Sequence, residues 1–435
     1  MTTVTQVPFD KKYVEDFSKQ KNEPNWMTEL RLEGLDLANS IEMPKPDKTN
    51  INRWNFLDFK HGAEGEKITS LTDVPAQLKD FIDEENTPEN IVVLRNETVA
   101  YNALSEDLQS KGVIFTDIFT ALQEHEELVK KYYFTDAVKI DEHKLTALHA
   151  ALMNGGVFIY VPKGVKVEEP LQAIFWQEDN EAALVNHVIV VAEDDAEVTY
   201  VENYISFNEE EKTVANVIAE VFAGNNAYVS FGAVDHFAAG TTTYVNRRGV
   251  TGDNALIDWA LGQMNEGNTV SENATHLEGN GSRTNARTVT VGTGRNVQNF
   301  TAKTVHFGLD TDGQILQRGV LTEKTTAIYN AIGQIFNGAT RANAEQESRV
   351  LMLSGDARGD ANPILLIDED DVTAGHAASV GRIDEMQLYY LQSRGLTKDE
   401  AARLIIHGFL APVVSELPIE TVRNQLTQLA EGKIR

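Results

Sequence analysis

No cysteine occurs among the 435 residues. That absence removes disulfides, thiolate nucleophiles and cysteine-ligated clusters held by this chain alone. No run of apolar residues is long enough to cross a bilayer, and the opening "MTTVTQVPFDKKYVEDF" has no signal-peptide core, so a cytoplasmic protein is expected. Positive charge is scarce: 38 Lys and Arg stand against 66 Asp and Glu, a net charge of -28. Such a surface repels phosphate backbones and anionic lipid, so neither nucleic acid nor membrane is an expected partner. The acidity mostly confers solubility and does not by itself indicate a metal site.

Catalytic signatures are missing too. The chain has no G-x-x-x-x-G-K-[ST] phosphate loop, no H-E-x-x-H and no G-x-S-x-G elbow. "VGTGRN" has neither the third glycine nor the following helix of a dinucleotide site. The ten histidines are scattered, with no pair at short metal-ligand spacing; His143 and His149 fall on different faces of one helix.

What is present divides into three regions. Residues 1–150 read as mainly helical. "EPNWMTELRLEGLDLANSI" places Pro24 at a helix start and spaces Trp26, Leu30 and Leu37 as a core-facing stripe. "MPKPDKTN" breaks the pattern into a linker or extended arm. "TDIFTALQEHEELVKKYYF" and "DEHKLTALHAALMNGG" are further helices, the second closed by Gly155 at its C-terminal cap. Residues 151–383 lose helical periodicity. Short runs rich in Val, Thr, Ile and Tyr alternate with Gly, Asn and Asp, as in "HVIVVAED", "RTVTVGTG" and "TAKTVHFGLD". The length exceeds most sandwiches and the pieces recur at solenoid spacing, which predicts a mainly β fold built as a β-helix. Asn and Gly supply the left-handed corners that coils need. Residues 384–435 return to helix: Leu388 and Leu391 share a face before Gly395. Thr397 and Glu400 have the spacing of a capping box. Ile419, Val422, Leu426 and Leu429 form a stripe.

Two acidic features have ordinary readings. Asp368, Glu369, Asp370 and Asp371 lack the spacing and central glycine of a calcium loop and read as a solvated turn. Carboxylate pairs able to cleave polysaccharide could hide among the coils, so a β-helix hydrolase or lyase stays open. His376 stands among Ala374, Gly375, Ala377 and Ala378, which leave its ring approachable by another chain. Its imidazole suits Fe or Zn completed by a carboxylate, or packs as a structural histidine near a turn.

At this point the stretch "NPILLIDEDDVTAGHAASVGRIDEMQLYYLQSRGLTKDEAARLIIHGFLAPVV" closely resembles the C-terminal signature of the SufB/SufD family of iron–sulfur cluster assembly proteins. The likeness continues through "GGVFIYVPKGVKVEEPLQ" and includes "EPNWMTELRLEGL" on the SufD side, so it covers nearly the whole chain. SufB-type members carry an essential cysteine, so the cysteine-free composition places the resemblance with SufD. Many SufD-type chains have a cysteine two residues before the histidine; here that position is Ala374. The resemblance implies a right-handed parallel β-helix between helical termini, acting as a non-catalytic scaffold subunit. It implies pairing with SufB through the β-helix ends, docking of the SufC ATPase on the C-terminal helices, and a transient iron or Fe–S cluster at the SufB interface. This chain alone is then expected to hold no stable cofactor. His376 becomes the candidate cluster or iron residue, and Tyr390, Arg394 and Phe409 the candidate SufC contacts. A stand-alone homodimeric scaffold is the remaining alternative, since like edges can pair when the partner is missing.

Overall fold

The computed structural model describes residues 6–74, 76–79, 82, 89–179, 181–206, 212–417 and 420–433. It opens with helices α1 (Lys11–Gln20) and α2 (Asn25–Ala38), then a short α3 (Ala76–Lys79). Strands β1 (Ile91–Arg95) and β2 (Thr98–Ala103) precede α4 (Glu106–Ser110) and β3 (Ile114–Asp117). Helices α5 (Ile118–Glu124), α6 (Glu126–Tyr132) and α7 (Lys144–Leu152) complete the N-terminal region. The region read as mainly helical therefore also donates three strands, and all three extend the sheets that follow.

From there the chain winds back and forth between two sheets. One holds β5 (Leu171–Gln177), β7 (Glu197–Ser206), β9 (Tyr228–His236), β11 (Leu256–Gln263), β13 (Arg283–Gly292), β15 (Asp312–Leu321), β17 (Asn343–Met352) and β19 (Thr373–Gly381). The other holds β4 (Gly155–Val161), β6 (Leu184–Ala192), β8 (Thr213–Ala223), β10 (Thr241–Thr251), β12 (Thr269–Leu277), β14 (Val297–His306), β16 (Thr326–Ile335) and β18 (Arg358–Ile367). Each strand pairs in parallel with the one two ahead, so the two sheets form a solenoid of about eight coils. The register step ranges from 26 residues (Thr243 to Thr269) to 32 (Thr326 to Arg358). This is the expected mainly β, stacked-coil fold between helical termini.

Corners repeat as strictly as strands. Asp195, Asn226, Asn254, Gly281, Asp310 and Arg341 all have positive φ, between 55° and 68°. Each donates its backbone N–H to a carbonyl of the following coil, so the left-handed corners stack as a ladder. Asn and Gly fill half of that ladder as expected; Asp195, Asp310 and Arg341 carry the rest.

Side chains alternate between the solenoid interior and its outer faces. Inside, Leu171, Tyr200, Phe231, Trp259, Ala286 and Ile315 stack in one column through the parallel register. Outside, helices cover what the coils expose. Ile406, Leu410 and Val413 of α9 (Lys398–Val414), with Val422 and Leu426 of α10 (Glu420–Lys433), pack on Val234, Ala260, Val289 and Val320. A Cβ at Gly262 would lie 2.7 Å from Leu426, so glycine is what lets α10 seat this closely. The predicted capping box is present: the Thr397 side chain accepts from the Glu400 N–H, and the Glu400 carboxylate accepts from the Thr397 N–H. Ile419 lies outside the described residues.

Two local expectations are corrected. In α2 the buried positions are Met27, Arg31, Gly34, Leu35 and Ala38, while Trp26, Leu30 and Leu37 are only partly covered. The stripe is offset because the core accepts an arginine: Arg31 makes a two-pronged pair with Glu23 (2.6 and 2.7 Å) and donates to the Ala151 and Met153 carbonyls. Helix α7 ends at Met153 as its cap, and Gly155 instead opens β4. There Gly156 (φ 142°) runs so close to His187 that a Cβ would meet the His187 carbonyl oxygen at 1.8 Å.

The candidate functional site at the open end of the solenoid

The two ends of the solenoid differ. At the N-terminal end, β2 pairs antiparallel with β1 and β3 antiparallel with β4, which closes both sheets with short strands. At the C-terminal end, β18 pairs only with β16 and β19 only with β17 among the described residues. Two strands of 10 and 9 residues therefore present rows of free backbone donors and acceptors, interrupted on β18 only where Pro363 has no N–H to offer. Long, parallel, uncovered edges are templates for pairing with another chain.

His376 lies on β19, directly opposite Gln346. Parallel partners in register project to the same side, and Gln346 is buried inside the coil. His376 is thus the last member of the interior column that begins at Leu171, and it is exposed because the coil ends there. Its small neighbours Gly375 and Ala377 pair with Glu345 and Glu347 on the outer face, so they do not frame the ring. The expected clearance around the imidazole comes from the strand being terminal, since alternation sends adjacent side chains to opposite faces. Around it the last coil exposes Ile367 and Val380, 38% and 40% accessible, at interior positions that inner coils bury.

On the outer face next to β19 runs a groove of about 410 Å³, lined among others by Arg287, Leu316, Glu345, Glu347 and Gly375. Glu347 pairs with Arg318 and with Arg349 (2.9 Å), which holds its carboxyl below the usual range despite partial burial. Behind Gly375, a Cβ would meet the Glu345 carboxylate at 2.8 Å. Among the described residues no group of three or more His, Asp and Glu side chains converges as a metal site. Any metal at His376 would need ligands from elsewhere.

The acidic group behaves as a turn. Glu369 accepts the N–H groups of Gly338, Asp370 and Asp371, which hold its carboxyl below the usual range. Tyr390 and Arg394 come together at the end of α8 (Glu385–Ser393): the guanidinium sits 5.2 Å from the ring centroid, and both are exposed. Met386 and Tyr389 extend that surface, 71% and 67% accessible. Phe409 does not join them. It is partly buried on α9 against the solenoid, with the Arg318 guanidinium 5.6 Å from its ring.

Sequence reasoning missed two buried polar clusters. Inside the solenoid, Arg247 of β10 bridges Glu202 (2.7 Å) and Asp235 (2.6 Å) of the facing sheet, all three inaccessible. Burial pushes the Glu202 carboxyl up to about 7, against the opposing pull of Arg247. Behind α7, His149 lies 3.2 Å from His187, whose Nε2 is 2.9 Å from the Glu220 carboxylate. Glu220 also accepts the Phe134 and Val138 N–H groups, and desolvation raises it to about 8 while lowering His187 to about 3. His149 and His187 are 38 residues apart, and only the register between α7 and β6 brings them together. Both clusters are sealed from solvent, so neither is a polysaccharide-cleaving pair.

Comparison with known proteins agrees with this architecture. Residues 175–409 match the SufBD core domain of the SUF system for FeS cluster assembly, and residues 47–173 match the SufBD N-terminal region. The chain is 56% identical to the iron–sulfur cluster assembly protein SufD of Bacillus subtilis, covering 100% of both chains. It is 29% identical to SufBD family proteins of Staphylococcus haemolyticus and Staphylococcus aureus, over 94% of this chain and 89% of each of those. With its core and N-terminal regions both matched in sequence, the chain belongs to the SufBD family of the SUF iron–sulfur cluster assembly system.

Proposed function

We propose that this chain is a non-catalytic scaffold subunit for iron–sulfur cluster assembly, pairing end to end with a SufB-type partner. The observation that carries this reading is the open end: two free parallel edges, with His376 as the last inward side chain between them. A second solenoid docked there covers both edges and supplies what this chain lacks, namely thiolates. Iron or the nascent cluster is then cargo held transiently at the seam, with His376 as this chain's contribution and no cofactor retained when the subunit is alone. The exposed surface of Met386, Tyr389, Tyr390 and Arg394 is the proposed dock for a SufC-type ATPase, since their side chains stand open to solvent. The reading includes a cytoplasmic location without nucleic-acid or membrane partners, in keeping with the net charge of -28. No described helix is long and apolar enough to cross a membrane.

Anaerobic co-expression with a SufB-type and a SufC-type protein tests it. A stable three-protein complex with bound iron and sulfide is expected. Recovery of this chain free of both, with full cluster yield in its absence, overturns the scaffold role. A homodimer of the isolated chain through the same edges is compatible with the reading, because like edges pair when the partner is missing.

A further inference from the structure

The outer face of the second sheet is covered unevenly. In its early and middle coils, Val185, Val214, Tyr244 and Val270 lie under the N-terminal helical layer that includes Leu35, Leu145 and Leu148. Phe158, Ile189, Val191 and Ile218 lie under α5, α6 and their neighbours. That cover stops before the last coils. There several outward positions are apolar, with Gln334 among them: Ile332 and Ile364 stack in register, Leu366 follows, and Phe307 and Phe336 continue the stack at the corner. The two phenyl rings lie parallel, 13° apart with centroids at 4.8 Å, and Phe307 and Leu366 are 43% and 47% accessible. The arm expected from "MPKPDKTN" runs along one margin, where Asn299 donates to Asp47 and Thr49, and Lys48 to Asn362.

The rest of the margin is negative. Asp368 is the next residue in the Phe307–Phe336 column, with Asp370 and Asp371 beside it. At the other end stands Glu278, whose carboxyl is pushed up by burial and by nearby Asp136. The facing cations are few. Arg341 is committed to Asp310, and Lys303 is partly buried with its ammonium disfavoured by desolvation and by Arg248.

We infer that this uncovered strip of the second sheet, centred on the stacked Phe307 and Phe336, docks an amphipathic helix of a partner chain, its apolar stripe flanked by Lys or Arg. Two features select that occupant. Earlier coils of the same face already seat helices, so the pleated surface suits one more. The acidic margin complements a basic flank and would repel an acidic one.

A labelled leucine–lysine helix of about 18 residues, long enough to be helical when bound, serves as probe, with binding read by fluorescence anisotropy at physiological ionic strength, about 0.15 M. Phe307→Ser with Phe336→Ser should weaken binding at least about tenfold, as loss of a central aromatic anchor does. Asp368→Asn, Asp370→Asn and Asp371→Asn together should weaken it too; Glu369 is spared because it caps the turn. The control neutralises three exposed or part-exposed acids on α1 and α2, Asp16→Asn, Glu29→Gln and Glu33→Gln, and should leave binding unchanged. Unaltered melting of each variant by circular dichroism excludes unfolding. Equal loss in the control, or no loss in the phenylalanine variant, overturns the proposal. So does a phenylalanine variant that alters only self-association, since the occupant would then be a second copy.

Discussion

Gln346 and His376 face each other across the last parallel register of the solenoid, and among the described residues only Gln346 has a side-chain partner beyond that pair. Its amide donates to the Ile364 carbonyl of the opposite sheet at 2.9 Å, tying the penultimate strand β17 of one sheet to the terminal strand β18 of the other. His376 has no such anchor and opens to solvent. The terminal strand β18 is thus braced from within by the preceding coil, while the His376 side chain on β19 stays open to a partner.

His376→Ala should leave the fold intact, since the side chain is exposed and holds no side-chain hydrogen bond among the described residues. Its unfolding free energy should match wild type within about 0.5 kcal/mol. Cluster yield in the co-expressed complex should nevertheless fall while complex formation persists. Full yield in this variant rejects the ligand role and leaves the scaffold role standing.

Tyr390 and Phe409 should separate in their effects. Tyr390→Ala should weaken capture of a SufC-type ATPase without changing stability, because the ring is exposed. Phe409→Ala should cost about 1–2 kcal/mol of stability through lost packing. Pull-down and urea titration of both variants read the two effects side by side, and a stability loss at Tyr390 would contradict the placement.

The interior triad predicts a pH dependence. Glu202 is raised to about 7 in the folded state from an ordinary value near 4.5. A raised carboxyl stabilises the fold below the unfolded value and loses that contribution as pH rises through the folded one. Glu202→Gln removes this loss, so its stability relative to wild type should improve between pH 5 and pH 8, by on the order of 2–3 kcal/mol. Arg247→Leu should instead destabilise by about 3–5 kcal/mol at neutral pH, leaving the buried Asp235 carboxylate without its cation and Glu202 without its partner. Urea denaturation across pH checks both; a Glu202→Gln difference that is flat with pH contradicts the assignment.

The corner ladder offers a backbone test. Asn226 sits at φ 57°, where a β-branched side chain is strained. Asn226→Val should cost about 1–2 kcal/mol, whereas Asn226→Gly should stay near neutral. Equal losses in the two variants would place the effect in the Asn226 side-chain bond to Asp195 instead.

Much of this was legible along the chain because its cause is local. Strand composition, the recurrence of turn residues and the Thr397/Glu400 cap each depend on neighbours within a few positions, and they yielded the solenoid and its helical ends. The α2 stripe was misjudged because Arg31 is buried by Glu23 and by two carbonyls some 120 residues away, a compensation no periodicity reveals. Glu202, Asp235 and Arg247 read as ordinary strand charges until the coils face them inward. His149 and His187 meet only through packing of α7 on the sheet.

The same division holds at the open end. Cysteine-free composition settles, without any coordinates, that this chain cannot supply thiolate ligands, because side-chain chemistry needs no geometry to be absent. That His376 is the last inward residue of an interior column, and that its accessibility comes from a missing next coil, follows from register and coil number. Those are properties of pairing between residues about 30 positions apart, and alternation alone cannot say where the stack stops.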